Sequence, residues 1–188
     1  MTTANIVTLF RIALIPVFGL AWWSGRPMLA LILFIVAALT DSLDGFIARA
    51  FNQISPLGQV LDPAADKLML FTCFLVAAVR HVIPVWLVAL VIGRDLLLGL
   101  GTFIFAFVLR VRISADRWPP TRVGKYATFC EILTVGCALG WEIIGGDLVR
   151  SFVGAMVLLS AVLTTLSAIQ YASRAARAFK TTQKESHV

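Results

Sequence analysis

Histidine, cysteine and charge are all scarce in this chain of 188 residues, and each shortage removes a class of chemistry. The two histidines, His81 and His187, are isolated from one another and cannot share a site. Cys73, Cys130 and Cys137 are odd in number, scattered through apolar runs and without C-x-x-C spacing, so they read as packing residues and imply no disulfide framework. Charged residues make up 14% of the chain against 60% apolar, with a mean hydropathy of +0.92, which is not a soluble composition. Repeats and low-complexity segments are missing too, and the length suits a single domain over residues 1–188. A net charge of +6 would suggest nucleic acid in a soluble chain; distributed as it is here, it suggests membrane orientation and anionic substrates, with no nucleic-acid partner.

What is present is apolar sequence in long runs. Six stretches reach bilayer-crossing length: 6–23, 28–50, 62–79, 82–109, 126–144 and 148–171. The expected fold is therefore all-α, a polytopic bundle of six transmembrane helices. No basic segment precedes the first run, and Ala21-Trp22-Trp23-Ser24-Gly25 is a poor cleavage site, so that run reads as a retained span.

Acids are few, and four of them crowd into one segment. Asp41 and Asp44 stand three apart, and Asp62 and Asp66 four apart, so each pair projects from one face of its own helix. Held away from water, such a cluster must be protonated, salt-bridged or metal-bound. Lys67 and Arg49 are the cations inside the stretch, too few to balance four carboxylates, which leaves a divalent metal as the natural counter-charge. All-oxygen donors with no His or Cys nearby favour a hard cation, Mg2+ first, with Mn2+ or Ca2+ as alternatives. Gly45 and Ala48 share the stripe of Asp41 and Asp44, and Gly58 falls one turn before Asp62, so missing side chains make room for a ligand. Arg49 can meet a phosphate with a planar fork of donors.

The depth of the acids follows from helix geometry. Met28 to Asp41 and Asp66 to Val79 are equal separations, about 20 Å of helix against a hydrocarbon core of about 30 Å, which sets both acids some 10 Å below one membrane face. Ionisable groups at that depth face a bundle interior or a water-filled cavity. Starting inside, Arg49, Arg110, Arg112, Arg117, Arg122, Lys125, Arg174, Arg177, Lys180 and Lys184 fall in cytoplasmic segments, and Arg26, Arg80 and Arg150 outside. That asymmetry satisfies the positive-inside rule with both termini and the acids cytoplasmic. Trp22, Trp23, Trp86 and Trp141 lie near the opposite ends, as an interfacial belt requires. Asp62 followed by Pro63 also reads as a helix N-cap and first position. Arg11 either snorkels to the phosphate layer or faces the acids, and Arg94 pairs with Asp95 or reaches Glu131. The tail from Arg174 reads as an amphipathic or frayed end that can touch anionic lipid.

Written out, the acidic segment is D-x2-D-G-x2-A-R-x8-G-x3-D-x3-D, and Asp41, Asp44, Gly45, Ala48, Arg49, Gly58, Asp62 and Asp66 fill every fixed position. At about 7 per cent usage per fixed residue, a chance match in the chain has odds on the order of one in ten million. The pattern resembles that of the CDP-alcohol phosphotransferase family, nearest its phosphatidylglycerophosphate synthase and CDP-diacylglycerol-type cardiolipin synthase branches. Asn5 and Arg11 also resemble its N-terminal N-x-x-T-x-x-R pattern.

The resemblance implies transfer of a phosphatidyl group from CDP-diacylglycerol to a glycerol-type alcohol with loss of CMP, in a bacterial inner membrane and as a homodimer. It implies two divalent cations on Asp41, Asp44, Asp62 and Asp66, Asp66 as general base, and Gly45, Ala48, Arg49 and Gly58 lining the nucleotide. The candidates for binding the acceptor are Arg94, Arg110, Arg112, Arg122 and Lys125, cations outside the motif that could meet a phosphate. Members using glycerol 3-phosphate often show R-E with an Arg two turns later, and G-K-x-K-T-x-x-Q. Here Arg94-Asp95 is followed by Thr102, and Gly124-Lys125-Tyr126-Ala127-Thr128 by Glu131. Glycerol 3-phosphate stands first as acceptor and phosphatidylglycerol second. No Ser, Cys or His is placed beside the acids as a nucleophile with its base, so covalent catalysis is not indicated. A transporter or a non-catalytic scaffold would leave the spacings of Gly45, Ala48, Arg49 and Gly58 unexplained.

Overall fold

A computed structural model describes residues 3–50, 58–103 and 121–185, with side chains at 8–40, 61–62, 64–99 and 121–174. Over these residues the chain forms α1 (Thr3–Trp23), α2 (Pro27–Ala50), α3 (Gly58–Val79), α4 (Val85–Phe103), α5 (Arg122–Ile144) and α6 (Asp147–Glu185), with no strand among them. Several boundaries differ from the sequence expectation, with α1 starting at Thr3 and α5 at Arg122. α3 starts at Gly58, so Asp62 lies inside the helix and is not its cap. α4 begins at Val85, because residue Ile83 before Pro84 is driven out of the helical region. α6 continues through the charged tail to Glu185.

The chain divides into two compact units. The first comprises Met1–Pro84 and Val135–Val153. Here α1 packs on α2 and α3. The buried stripe of α1 runs Thr8, Arg11, Ile15, Phe18, Trp22, at the alternating three and four spacing of one helical face. Its C-terminal part is apolar, with Phe18 edge-on to Trp22 at 5.7 Å between ring centroids and tilted against Phe34 at 6.2 Å. Its N-terminal end is polar. The matching stripe of α3 runs Ala65, Met69, Cys73, Ala77. A Cβ on Gly19 would stand 3.1 Å from Thr72 Cγ2, so α1 and α3 approach closely at this glycine.

The turns of this unit end helices in a defined way. After α1, Gly25 adopts φ 73° while its N–H donates to the Trp22 carbonyl and that of Arg26 to the Ala21 carbonyl. After α3 the same pattern recurs with His81 at φ 59°, its N–H on Ala78 and that of Val82 on Ala77. At this end Glu142 accepts from Trp22 Nε1 at 2.5 Å and from Arg80 Nη2 at 2.8 Å, tying α5 to α1 and to the end of α3.

The second unit comprises Val85–Thr134 and Gly154–Val188, that is α4, the first half of α5 and most of α6. Its interior carries polar side chains: Arg94, Glu131, Thr134, Ser160, Thr164 and Ser167 are all buried. Thr134 and Ser160 join α5 to α6 through their hydroxyls at 2.8 Å. Thr121 caps α5 by accepting from the Gly124 N–H at 3.0 Å, while its own N–H donates to the Tyr171 hydroxyl at 3.1 Å.

Two helices among the described residues are long and apolar enough to cross a membrane, Arg122–Ile144 and Asp147–Arg174. Within the described side chains, α1 and α2 contribute the apolar stretches Thr8–Trp23 and Pro27–Thr40. The expectation of six spans is thus met as six helices. Among the described residues, two of them pass on length and apolarity.

Candidate active site

The acidic segment falls on two helices. Asp41, Asp44, Gly45, Ala48 and Arg49 lie within α2, and Gly58, Asp62 and Asp66 within α3. Of the four aspartates, the side chains of Asp62 and Asp66 are described; those of Asp41, Asp44 and Arg49 lie outside the described residues. Asp62 and Asp66 are one turn apart, so they share a face of α3.

Each is held by a residue of α1. The Thr8 hydroxyl donates to Asp62 Oδ1 at 2.6 Å, and Arg11 Nη1 donates to Asp66 Oδ1 at 2.8 Å. The three-residue step on α1 thus meets the four-residue step on α3 in register. Burial is lopsided across these contacts. Thr8 is fully buried and Arg11 is 2% exposed, whereas the Asp66 side chain is 52% exposed. Arg11 therefore faces the acids, and a counter-charge comes from outside the acidic segment. Among the described residues no three His, Cys, Asp or Glu side chains gather as a metal-binding group.

Of the cations expected near an acceptor, Arg122 and Lys125 are exposed in the first turn of α5, while Arg110 and Arg112 lie outside the described residues. Arg94 is 4% exposed and joins three side chains. It donates to Asp95 Oδ1 from Nη2 at 2.7 Å, to Glu131 Oε1 from Nη1 at 3.0 Å, and to Thr128 Oγ1 at 3.4 Å. Thr164 adds a fourth partner to the network by donating to Glu131 Oε1 at 2.8 Å.

Comparison with known sequences decides the family. Residues 1–168 match the CDP-alcohol phosphatidyltransferase model. The chain belongs to the CDP-alcohol phosphatidyltransferase family. It is 35% identical over 178 residues to the CDP-diacylglycerol–glycerol-3-phosphate 3-phosphatidyltransferase of Shigella flexneri serotype 5b, covering 91% of this chain and 93% of that one. A Haemophilus influenzae protein of the same name is 30% identical, with 88% of each chain covered. The Drosophila melanogaster protein named probable cardiolipin synthase (CMP-forming) is 30% identical over 98% of this chain and 61% of that one.

Within this CDP-alcohol phosphatidyltransferase the residue that sequence reasoning passed over is Thr8. A single threonine on an apolar helix carries no positional signal of its own. The available clue is that Thr8 fills the T of N-x-x-T-x-x-R, one turn before Arg11.

Proposed function

We propose that this chain moves the phosphatidyl group of CDP-diacylglycerol to glycerol 3-phosphate and releases CMP. The observation that carries the reading is the pair of α3 carboxylates, Asp62 and Asp66, each gripped by a buried side chain of α1 within a family pattern filled at every position. The likeness to the Shigella and Haemophilus proteins supports the choice of acceptor.

In this reading the acceptor hydroxyl oxygen bonds to the lipid-bearing phosphorus as the bond from that phosphorus to the CMP oxygen breaks. The hydroxyl proton passes to Asp66, whose exposed carboxylate has the access a general base needs. Asp62, fixed by Thr8, orients charge at the diphosphate. Gly45, Ala48 and Gly58 leave space for the nucleotide and Arg49 pairs with its phosphate. Asp62 and Asp66 are hard oxygen donors one turn apart and so fit a metal such as Mg2+ or Mn2+. Two such cations on Asp41, Asp44, Asp62 and Asp66 would neutralise the diphosphate and the departing CMP. Arg122 and Lys125, with Arg110 and Arg112, are assigned to the acceptor phosphate, and Arg94 to the framework.

The placement goes with the chemistry, since CDP-diacylglycerol has its tails in lipid and its nucleotide in water. All six helices cross a bacterial inner membrane in this reading, with both termini and the acids cytoplasmic and two chains forming a homodimer. Large apolar side chains left outward, such as Leu148 at 87% exposure with Leu20, Val85 and Ile144, support a lipid surround.

The test is purified protein with Mg2+ and CDP-diacylglycerol, offered labelled glycerol 3-phosphate, phosphatidylglycerol, inositol phosphate or serine separately, with the lipid product identified. CMP release is expected only with an acceptor and only with the cation; release without any acceptor would indicate a hydrolase. Phosphatidylglycerol as acceptor is the second reading. It is favoured by Glu131, a carboxylate paired with Arg94 where the glycerol-3-phosphate pattern has a neutral amide, and by the Drosophila relative.

A further inference from the structure

We infer that Thr8 and Arg11 are positioning residues for the α3 aspartates: Thr8 fixes Asp62, and Arg11 supplies a permanent positive charge that sets how tightly the acids take a divalent cation. The inference rests on the metal reading of the proposed function. It starts from a coincidence of register. Among the described residues, Thr8 and Arg11 are the two polar members of an otherwise apolar buried stripe on α1, and both meet a motif aspartate, at 2.6 and 2.8 Å. Either polar group alone would be costly to bury in that stripe. Two in succession, each on its own carboxylate, point to the acids as their common purpose.

The division of burial gives the pair its function. The α1 partners are walled in by packing, while Asp66 stands half open. A buried clamp under an exposed ligand restricts the carboxylate without closing its approach, which is how supporting groups orient metal ligands. The two clamps act oppositely on a cation. A hydroxyl on Asp62 reduces the carboxylate's freedom and leaves its charge intact, so it favours binding. A guanidinium on Asp66 cannot lose its proton and competes for the same negative charge, so it weakens binding while holding the carboxylate in place.

Mn2+ affinity of the detergent-purified chain, read from the free-ion electron paramagnetic resonance signal without substrate, separates these effects from turnover. Arg11→Met should bind Mn2+ about tenfold more tightly than wild type, yet transfer phosphatidyl groups at least tenfold more slowly. Arg11→Lys, which keeps the charge, should return the affinity to within about twofold of wild type. Thr8→Val should bind Mn2+ about tenfold more weakly, and Thr8→Ser should recover most of that loss. If Arg11→Met does not elute as a monodisperse peak, Arg11→Gln, which keeps a donor without the charge, decides the matter. Unchanged or weaker affinity in the charge-removing variant overturns the role of Arg11, and unchanged affinity in Thr8→Val overturns that of Thr8. Wild type that takes up no Mn2+ refutes the metal reading and this inference together; wild-type binding with flat variants refutes this inference alone.

Discussion

Among the described residues, each unit of the molecule buries one arginine against carboxylates, and the two are used differently. Arg11, in the first unit, is 2% exposed and its partner Asp66 is 52% exposed. Arg94, in the second, is 4% exposed and its partner Glu131 is 0% exposed, with Asp95, Thr128 and Thr164 also in the network. The first arrangement ends in a carboxylate that faces outward. The second runs from the enclosed Glu131 to Asp95 and two threonine hydroxyls within the unit. An ion pair is thus open to chemistry where one member keeps access to water or ligand. Where both lose it, the pair serves to fix which helices meet.

Four single substitutions and one double variant probe that contrast, in descending size. Asp66→Asn should reduce phosphatidyl transfer by about a thousandfold or more, in the range of a lost general base, while binding of CDP-diacylglycerol stays measurable by equilibrium binding; retained turnover would remove Asp66 from the base role. Arg94→Met should lower stability by about 3–5 kcal/mol in detergent unfolding, because Glu131 is left charged and enclosed, whereas Arg11→Met should cost under about 1 kcal/mol, because Asp66 remains solvated. Replacing Arg94 and Glu131 together with Met should recover most of the loss, and equal costs for Arg94→Met and Arg11→Met would erase the distinction between the units. Tyr171→Phe should cost about 1 kcal/mol, the net worth of the bond accepted from the Thr121 N–H at the start of α5; no change in the unfolding midpoint would mean that water replaces the hydroxyl.

Much of the helical plan could be read from apolar runs and turn chemistry. The ends of α1 and α2 and the starts of α5 and α6 fall within a few residues of the apolar boundaries. The start of α3 was misjudged because Asp62-Pro63 carries a strong capping pattern, while helix in fact already begins at Gly58 and takes in both aspartates. His81 at positive φ was not legible, since that conformation is set by the closing bonds to Ala77 and Ala78 and ordinarily falls to glycine. For the site, helical spacing was enough to put Asp62 and Asp66 on one face. Arg11 stayed open between snorkelling and facing the acids, because the choice depends on a partner 55 positions away. The same distance effect hid the bond from Thr164 to Glu131, which a local pattern has no means of expressing.

The unbroken course of α6 also bears on the tail. Residues 175 to 185 continue the helix past the apolar run of α6, and at 1.5 Å per residue they form a strut about 16 Å long. Anything that takes hold of this strut pulls on a lever joined without a hinge to the residue that meets Thr121, so a load at the far tip is felt where α5 begins.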